Sequence, residues 1–131
     1  MLGELETKPD RVVIADFEAG VGTLLRANAE QVDLAVVVVE PYVKSIEAAR
    51  RLLEIAGANG IRRSILVANK VRDEEDLALI RALLDGVEPD LVVPADEEIA
   101  AADLAGVAPI DRNPESEGVR AIRSLAGTIA G

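Results

Sequence analysis

The sequence has no cysteine and no histidine, and its aromatic content is 2 percent, one Phe and one Tyr with no Trp. Without Cys and His there are no disulfides, no thiolate chemistry, no zinc site of the usual kind and no His-based triad. Any metal would be bound by hard oxygen donors, with Mg²⁺ the first candidate. Lysine is scarce as well, at positions 8, 44 and 70 only, and none follows a glycine. No Gly-x-x-x-x-Gly-Lys stretch exists, so the chain carries no phosphate cradle of the P-loop kind. The longest apolar run, Leu34 to Val39, is far too short to cross a membrane, and the first residues show no basic and apolar leader pattern. These absences agree with a cytoplasmic location.

What is present suits a folded α/β domain. Half of the 131 residues are hydrophobic and 29 percent are charged, so the composition is not that of a disordered chain. With so few aromatics, the core must be built from Val, Leu, Ile and Ala, as in parallel sheets covered by helices. The length predicts one domain, residues 1–131, able to bury about two-thirds of its unfolded surface. The net charge is −10, from 24 acidic and 14 basic residues, with no long basic block. Such a surface disfavours direct nucleic-acid binding, which needs phosphate neutralisation, and otherwise favours solubility.

Four short runs rich in β-branched residues read as strands: 11–15, 34–39, 64–68 and 90–93. Each is nearly all apolar, which predicts burial on both faces. Helix-period segments lie between and after them, at 43–59, 74–85, 97–105 and 115–129, with a shorter one at 23–31. Their inward stripes are Val43, Ile46, Ala49, Leu53 and Ala56; then Leu77, Ile80, Leu83 and Leu84; then Val119, Ile122, Leu125, Ala126 and Ile129. Asp73, Asp96 and Asn113 stand where N-caps belong, Pro114 suits a first turn, and Gly86 and Gly106 suit helix ends. The alternation predicts a three-layer α/β sandwich, an open and mostly parallel sheet of about four strands flanked by helices.

Ligands of such sheets sit outside the C-terminal strand ends. There the sequence places Asp16-Phe17-Glu18-Ala19-Gly20, then Glu40-Pro41, then Asn69-Lys70, then Pro94-Ala95-Asp96. Each has a plain reading. Asp, Asn, Pro and Gly are ordinary turn residues, Asp96 is a helix cap, and Lys70 is a solvated cation after a strand. The four together point to a site.

The stretches VVIADFEAGVGTLLR (12–26), VDLAVVVVEPYVKSIEAARRL (32–52), ILVANKV (65–71) and VVPADEEIAAADLAG (92–106) resemble the second half of the deviant-Walker P-loop ATPases, the MinD and ParA family. They look closest to its CooC-type nickel-insertion members. The resemblance covers almost the whole chain and implies a partial P-loop NTPase fold. By that resemblance Asp16 is the Walker B or switch II acid, holding Mg²⁺ through water or positioning the attacking water. Glu18, Ala19 and Gly20 belong to a switch loop near the γ-phosphate. Asn69 reads adenine with its amide, Lys70 lies along the base or pairs with an acid, and Pro94 and Asp96 pack its other face. Pro41 ends the neighbouring strand.

The phosphate-binding lysine is missing, as is the Cys pair of CooC-type proteins. The resemblance therefore implies an ATP- or ADP-binding protein with Mg²⁺ only where the site is completed. Alone, the chain should not hydrolyse ATP at a useful rate. The strand at 11–15 loses its family neighbour, which predicts self-association or a partner carrying the P-loop. One alternative is a non-catalytic remnant used as a binding or dimerisation module. A weaker one is a response-regulator-like or flavodoxin-like domain, with Asp16 and Lys70 in the acid and lysine roles.

Overall fold

The computed structural model describes residues 11–16 and 32–130. Three strands form a parallel sheet in the order β1 (Ala35–Val39), β2 (Ser64–Val71), β3 (Leu91–Pro94). Helix α1 (Val43–Ala58) connects β1 to β2, and α2 (Glu74–Leu83) connects β2 to β3. After β3 come α3 (Glu97–Ala105), a four-residue α4 (Pro109–Arg112) and α5 (Glu117–Ala130). No described helix is long and apolar enough to cross a membrane.

The register explains the layers. Val37 lies opposite Leu66 and Val39 opposite Ala68, so these side chains share one face. Ile46 and Ala49 of α1 and Ile80 of α2, with Leu84 just beyond it, pack there into one buried cluster. On the other face Ile65, Val67 and Val93 meet Ala121 and Leu125 of α5. The result is the expected helix–sheet–helix sandwich, with α1 and α2 on one side and α5 on the other.

The helix ends follow from local chemistry. Asp73 accepts the Asp76 N–H at 3.0 Å and caps α2. Asp76 itself is buried; it accepts from the Arg72 backbone at 2.8 Å and from Nε and Nη2 of the Arg72 guanidinium at 3.0 and 2.9 Å. That bidentate pair holds the Asp76 carboxyl below the usual range and fixes the turn leaving β2. Helix α1 ends in a left-handed Gly60 (φ 76°), where Ile61 N–H reaches Ala56 O at 3.0 Å and Gly60 N–H reaches Gly57 O at 3.2 Å. The apolar contact such a turn favours is present, since Ile61 and Ala56 are buried together.

The structure departs from the sequence reading at several places. Residues 11–16 form no strand: the segment is irregular and exposed, with Ile14 at 81 percent. A strand needs a hydrogen-bonded neighbour, and β1 does not pair with this one. The described sheet therefore has three strands rather than about four. Nor is β1 covered on both faces. Val37 and Val39 are buried, whereas Val36 and Val38 remain exposed, because α5 covers β2 and β3 but stops short of β1. Helix α5 starts at Glu117, two residues later than expected. Ser116 Oγ accepts the Val119 N–H there, and Asn113 caps only the preceding turn through Glu115 N–H. Ile122 and Ala126 face outward, as do Val43 and Leu83. Helix α4 has no counterpart in the sequence reading. The helix expected at 23–31 lies outside the described residues.

Two substitutions test this distribution by urea unfolding. Ile80→Ala, at a fully buried position, should cost about 2–5 kcal/mol. Val38→Thr, at a side chain 53 percent exposed, should change stability by less than about 0.5 kcal/mol. A large loss at Val38 would mean that this face of β1 is covered.

Candidate functional site

Because the three strands are parallel, their C-terminal ends lie along one edge. Asn69, Lys70 and Pro94 come to that edge on β2 and β3, with Glu40 and Pro41 just past β1 and Asp96 just past β3. The first link between them is electrostatic. Lys70 Nζ sits 2.6 Å from Glu40 Oε1, bridging β2 to β1. The hydrogen bond from Lys70 lowers the Glu40 pKa, helped by Tyr42, and the same bond raises that of Lys70. Ser45, on the first turn of α1, accepts the Glu40 backbone N–H at 2.9 Å. That contact holds the acid at the strand end.

The second link is a backbone irregularity. Between its pairings with β3, β2 advances three residues, Ala68 to Val71, while β3 advances two, Val92 to Pro94. The extra residue is a bulge, and Asn69 and Lys70 occupy it. Lys70 takes a left-handed conformation (φ 57°), which costs a non-glycine residue about 1–2 kcal/mol. The bulge re-aims the strand end, leaving Asn69 half-buried and Lys70 exposed. Ala95 N–H then closes the edge on Val71 O at 2.8 Å.

Asp96 does more than cap one helix. Its Oδ1 accepts the Glu98 N–H at 2.9 Å, and its Oδ2 accepts the Gly118 N–H at 2.8 Å. One carboxylate thus ties the start of α3 to the start of α5. The Gly118 N–H, then the Ser116 hydroxyl and the Glu98 N–H, hold its pKa below the usual range. The approach is so close that a Cβ on Gly118 would lie 3.0 Å from Asp96 Oδ2 and 2.6 Å from Ile99 Cδ1. A shallow depression of about 420 Å³ opens beside Asp96, lined by Arg72, Ala95, Asp96, Glu97 and Ala100. A larger cleft of about 490 Å³, lined by Arg62, Arg63, Asp90 and α5 residues, lies at the opposite ends of the strands. The smaller one stands where open parallel sheets present ligands.

Asp16 is exposed and carried by no strand, so the described structure does not bring it into this group. Glu18, Ala19 and Gly20 lie outside the described residues. Among the described residues no cluster of three or more acidic side chains is placed to hold a metal ion. Sequence reasoning missed Ser45, Arg72 and Asp76. The four-residue spacing of Arg72 and Asp76 was the available signal.

Two measurements follow. Asp96→Ala should cost about 1–2 kcal/mol at pH 7 through lost capping. Asp96, Asp76 and Glu40 have folded pKa values below their unfolded ones. Their contribution is complete above the ordinary carboxylate range and is lost as pH falls through the lowered values. The urea midpoint should therefore drop below about pH 4, less steeply in Asp96→Ala. At the bulge, Lys70→Gly should be more stable than Lys70→Ala by about 1 kcal/mol, since only glycine takes the left-handed conformation freely. Equal stabilities would show that the bulge carries no strain.

No protein-family model matches the chain. It is 37% identical over 109 residues to an uncharacterized ATP-binding protein of Methanocaldococcus jannaschii, which covers 81% of this chain and 42% of that protein. It is 33% identical over 114 residues to the carbon monoxide dehydrogenase accessory protein CooC of Rhodospirillum rubrum, covering 87% of this chain and 43% of CooC. Solved structures share the fold, MinD proteins among them. The MinD cell division protein of Aquifex aeolicus gives a TM-score of 0.57 at 24% identity, over 72% of this chain and 44% of that one. MinD of Pyrococcus horikoshii, complexed with Mg-ADP, gives 0.56 at 20% identity, over 76% and 45%. The chain thus spans less than half the length of the relatives it matches, a share that fits their C-terminal half. On the parallel sheet, the strand-end residues and these relationships, the chain is similar to part of CooC and of the ATP-binding protein of M. jannaschii, and it shares the fold of MinD.

Proposed function

We propose that this chain supplies the base-recognising part of an ATP site whose phosphate cradle comes from elsewhere, either a P-loop-bearing partner or a further segment of the protein. The observation that carries the reading is the bulged end of β2. There a half-buried amide, Asn69, is held beside an interstrand ion pair, at the edge where parallel sheets bind ligands. An amide both donates and accepts, which matches the adjacent acceptor and donor on the edge of adenine. Lys70, paired with Glu40, steadies the bulge. Pro94 and Asp96 border the base on the β3 side, and Asp96 does so while capping two helices. Pro41 closes the β1 side.

A Mg²⁺ site belongs to the same reading through the family resemblance, not through the described geometry, which leaves Asp16 outside the strand-end group. That ion takes one or two carboxylates together with phosphate oxygens and keeps most of its waters, and Asp16 is the carboxylate in this reading. Bound there, the metal neutralises phosphate charge. Glu18, Ala19 and Gly20, outside the described residues, are assigned by the same resemblance to the switch that answers the γ-phosphate. Without a lysine-bearing cradle the chain is inactive as an ATPase. It works in the cytoplasm, without direct nucleic-acid contact, and associates through the open side of β1, where Val36 and Val38 are exposed.

Calorimetric titration with ATP and Mg²⁺ tests the reading, with Asn69→Ala as control. Saturable heat that Asn69→Ala reduces about tenfold or more in affinity is expected from a formed base pocket. Saturable heat unchanged in Asn69→Ala would remove Asn69 from the site. No heat at millimolar ATP would reject nucleotide binding by this chain alone and favour the non-catalytic binding module.

A further inference from the structure

We propose that the elbow joining α3 to α4 is a docking surface for a positively charged, apolar-faced segment of a partner protein. Leu104, in the last turn of α3, is 91 percent exposed; Val107 and Ile110 follow at three-residue spacing, 47 and 46 percent exposed. A single exposed leucine needs no explanation, but three exposed apolar side chains within seven residues of one elbow concentrate apolar surface there.

The patch is built on a rigid frame. Gly106 is left-handed (φ 68°), with Val107 N–H on Ala102 O at 3.0 Å and Gly106 N–H on Asp103 O at 3.1 Å. Beyond it, Asp111 and Arg112 N–H both reach Ala108 O, at 3.0 and 3.2 Å. Arg112 Nε then reaches back to Glu98 Oε2 at 3.2 Å and ties α4 to α3. A preformed turn loses little entropy on binding.

Charge selects the occupant. From Asp96 to Asp111 the sequence has five carboxylates and no Lys or Arg. Asp103 and Asp111 flank the patch in sequence and are exposed, and the cations that come near, Arg112 and Lys70, are each paired with a carboxylate, Glu98 and Glu40. An apolar centre with an acidic rim suits lysine- or arginine-bearing partners and disfavours acidic ones. A second copy, itself at −10, is a poor match. Nor does a strand added to the sheet beside β1 cover the elbow. Helix α3 follows β3, the strand at the opposite edge. Asp103 contributes to the field that raises the Lys70 pKa, so the patch stands near the strand-end edge. The proposal holds whether or not the chain binds ATP.

The probe is a synthetic amphipathic peptide with leucines on one helical face and lysines on the other. It is titrated into the ¹⁵N-labelled chain, beside a version with glutamate for lysine. Saturable amide shifts centred on residues 103–112 are expected, absent with the glutamate peptide. Leu104→Ser should weaken binding about tenfold or more with an unchanged melting temperature, whereas Leu79→Ser, on the exposed side of α2, should leave it intact. Shifts centred elsewhere, equal binding by the glutamate peptide, or indifference to Leu104→Ser would overturn the proposal. So would a concentration-dependent dimer in sedimentation that Leu104→Ser abolishes, since the occupant would then be a second copy.

Discussion

The structure depends on the two-sided burial of β2. Among the described strands it alone is hydrogen-bonded along both edges, and Ile65 to Ala68 are buried without a break. A backbone so enclosed must pair all its amides, which fixes the parallel register with β1 and β3. That register in turn decides which side chains meet α1 and α2 and which meet α5. Moving one strand by one residue would exchange the two faces and expose both clusters.

At its C-terminal end the same strand becomes irregular. Ladder pairing drops out through a bulge, a lysine adopts a conformation that suits glycine, and an ion pair crosses to β1. Strain of this kind persists where surrounding contacts over-determine it, and it tends to gather at functional positions. Those contacts are Ala95 closing on Val71, Ser45 holding Glu40, and Arg72 locked on the buried Asp76. The edge is therefore a set of rigid strand ends carrying unlike polar groups, as a site requires.

The two flanks of the sheet differ in kind. Among the described residues, β1 is paired along one edge only, and its Val36 and Val38 are exposed on one face. Beyond β3 the exposed apolar side chains sit on a capped turn with an acidic rim. The first is an exposed sheet face. The second is a finished surface with a charge preference.

Much of this was legible in the sequence. The apolar runs at 34–39, 64–68 and 90–93 mark the strands and the stripes around Ile46 and Ile80 mark the helix faces, but burial on both faces holds only for Ile65 to Ala68. The caps at Asp73 and Asp96 follow from side chains that bond their own backbone neighbours. What depends on contact across the chain was not. The run at 11–15 has the composition of a strand, yet strand formation is a property of pairs, and β1 offers it no pairing. Ile122 has the periodicity of a core residue, but α5 reaches only β2 and β3. Asp96 reads as the cap of one helix because its second partner, Gly118, is twenty-two residues away. The bulge at Asn69 and Lys70 arises from a mismatch between two strands, which neither strand's sequence contains. Local periodicity and short-range hydrogen bonding determined the elements and their faces. Pairing between distant segments, which only the tertiary structure supplies, decided which of the described strands form, which faces close and how the strand-end residues gather along one edge.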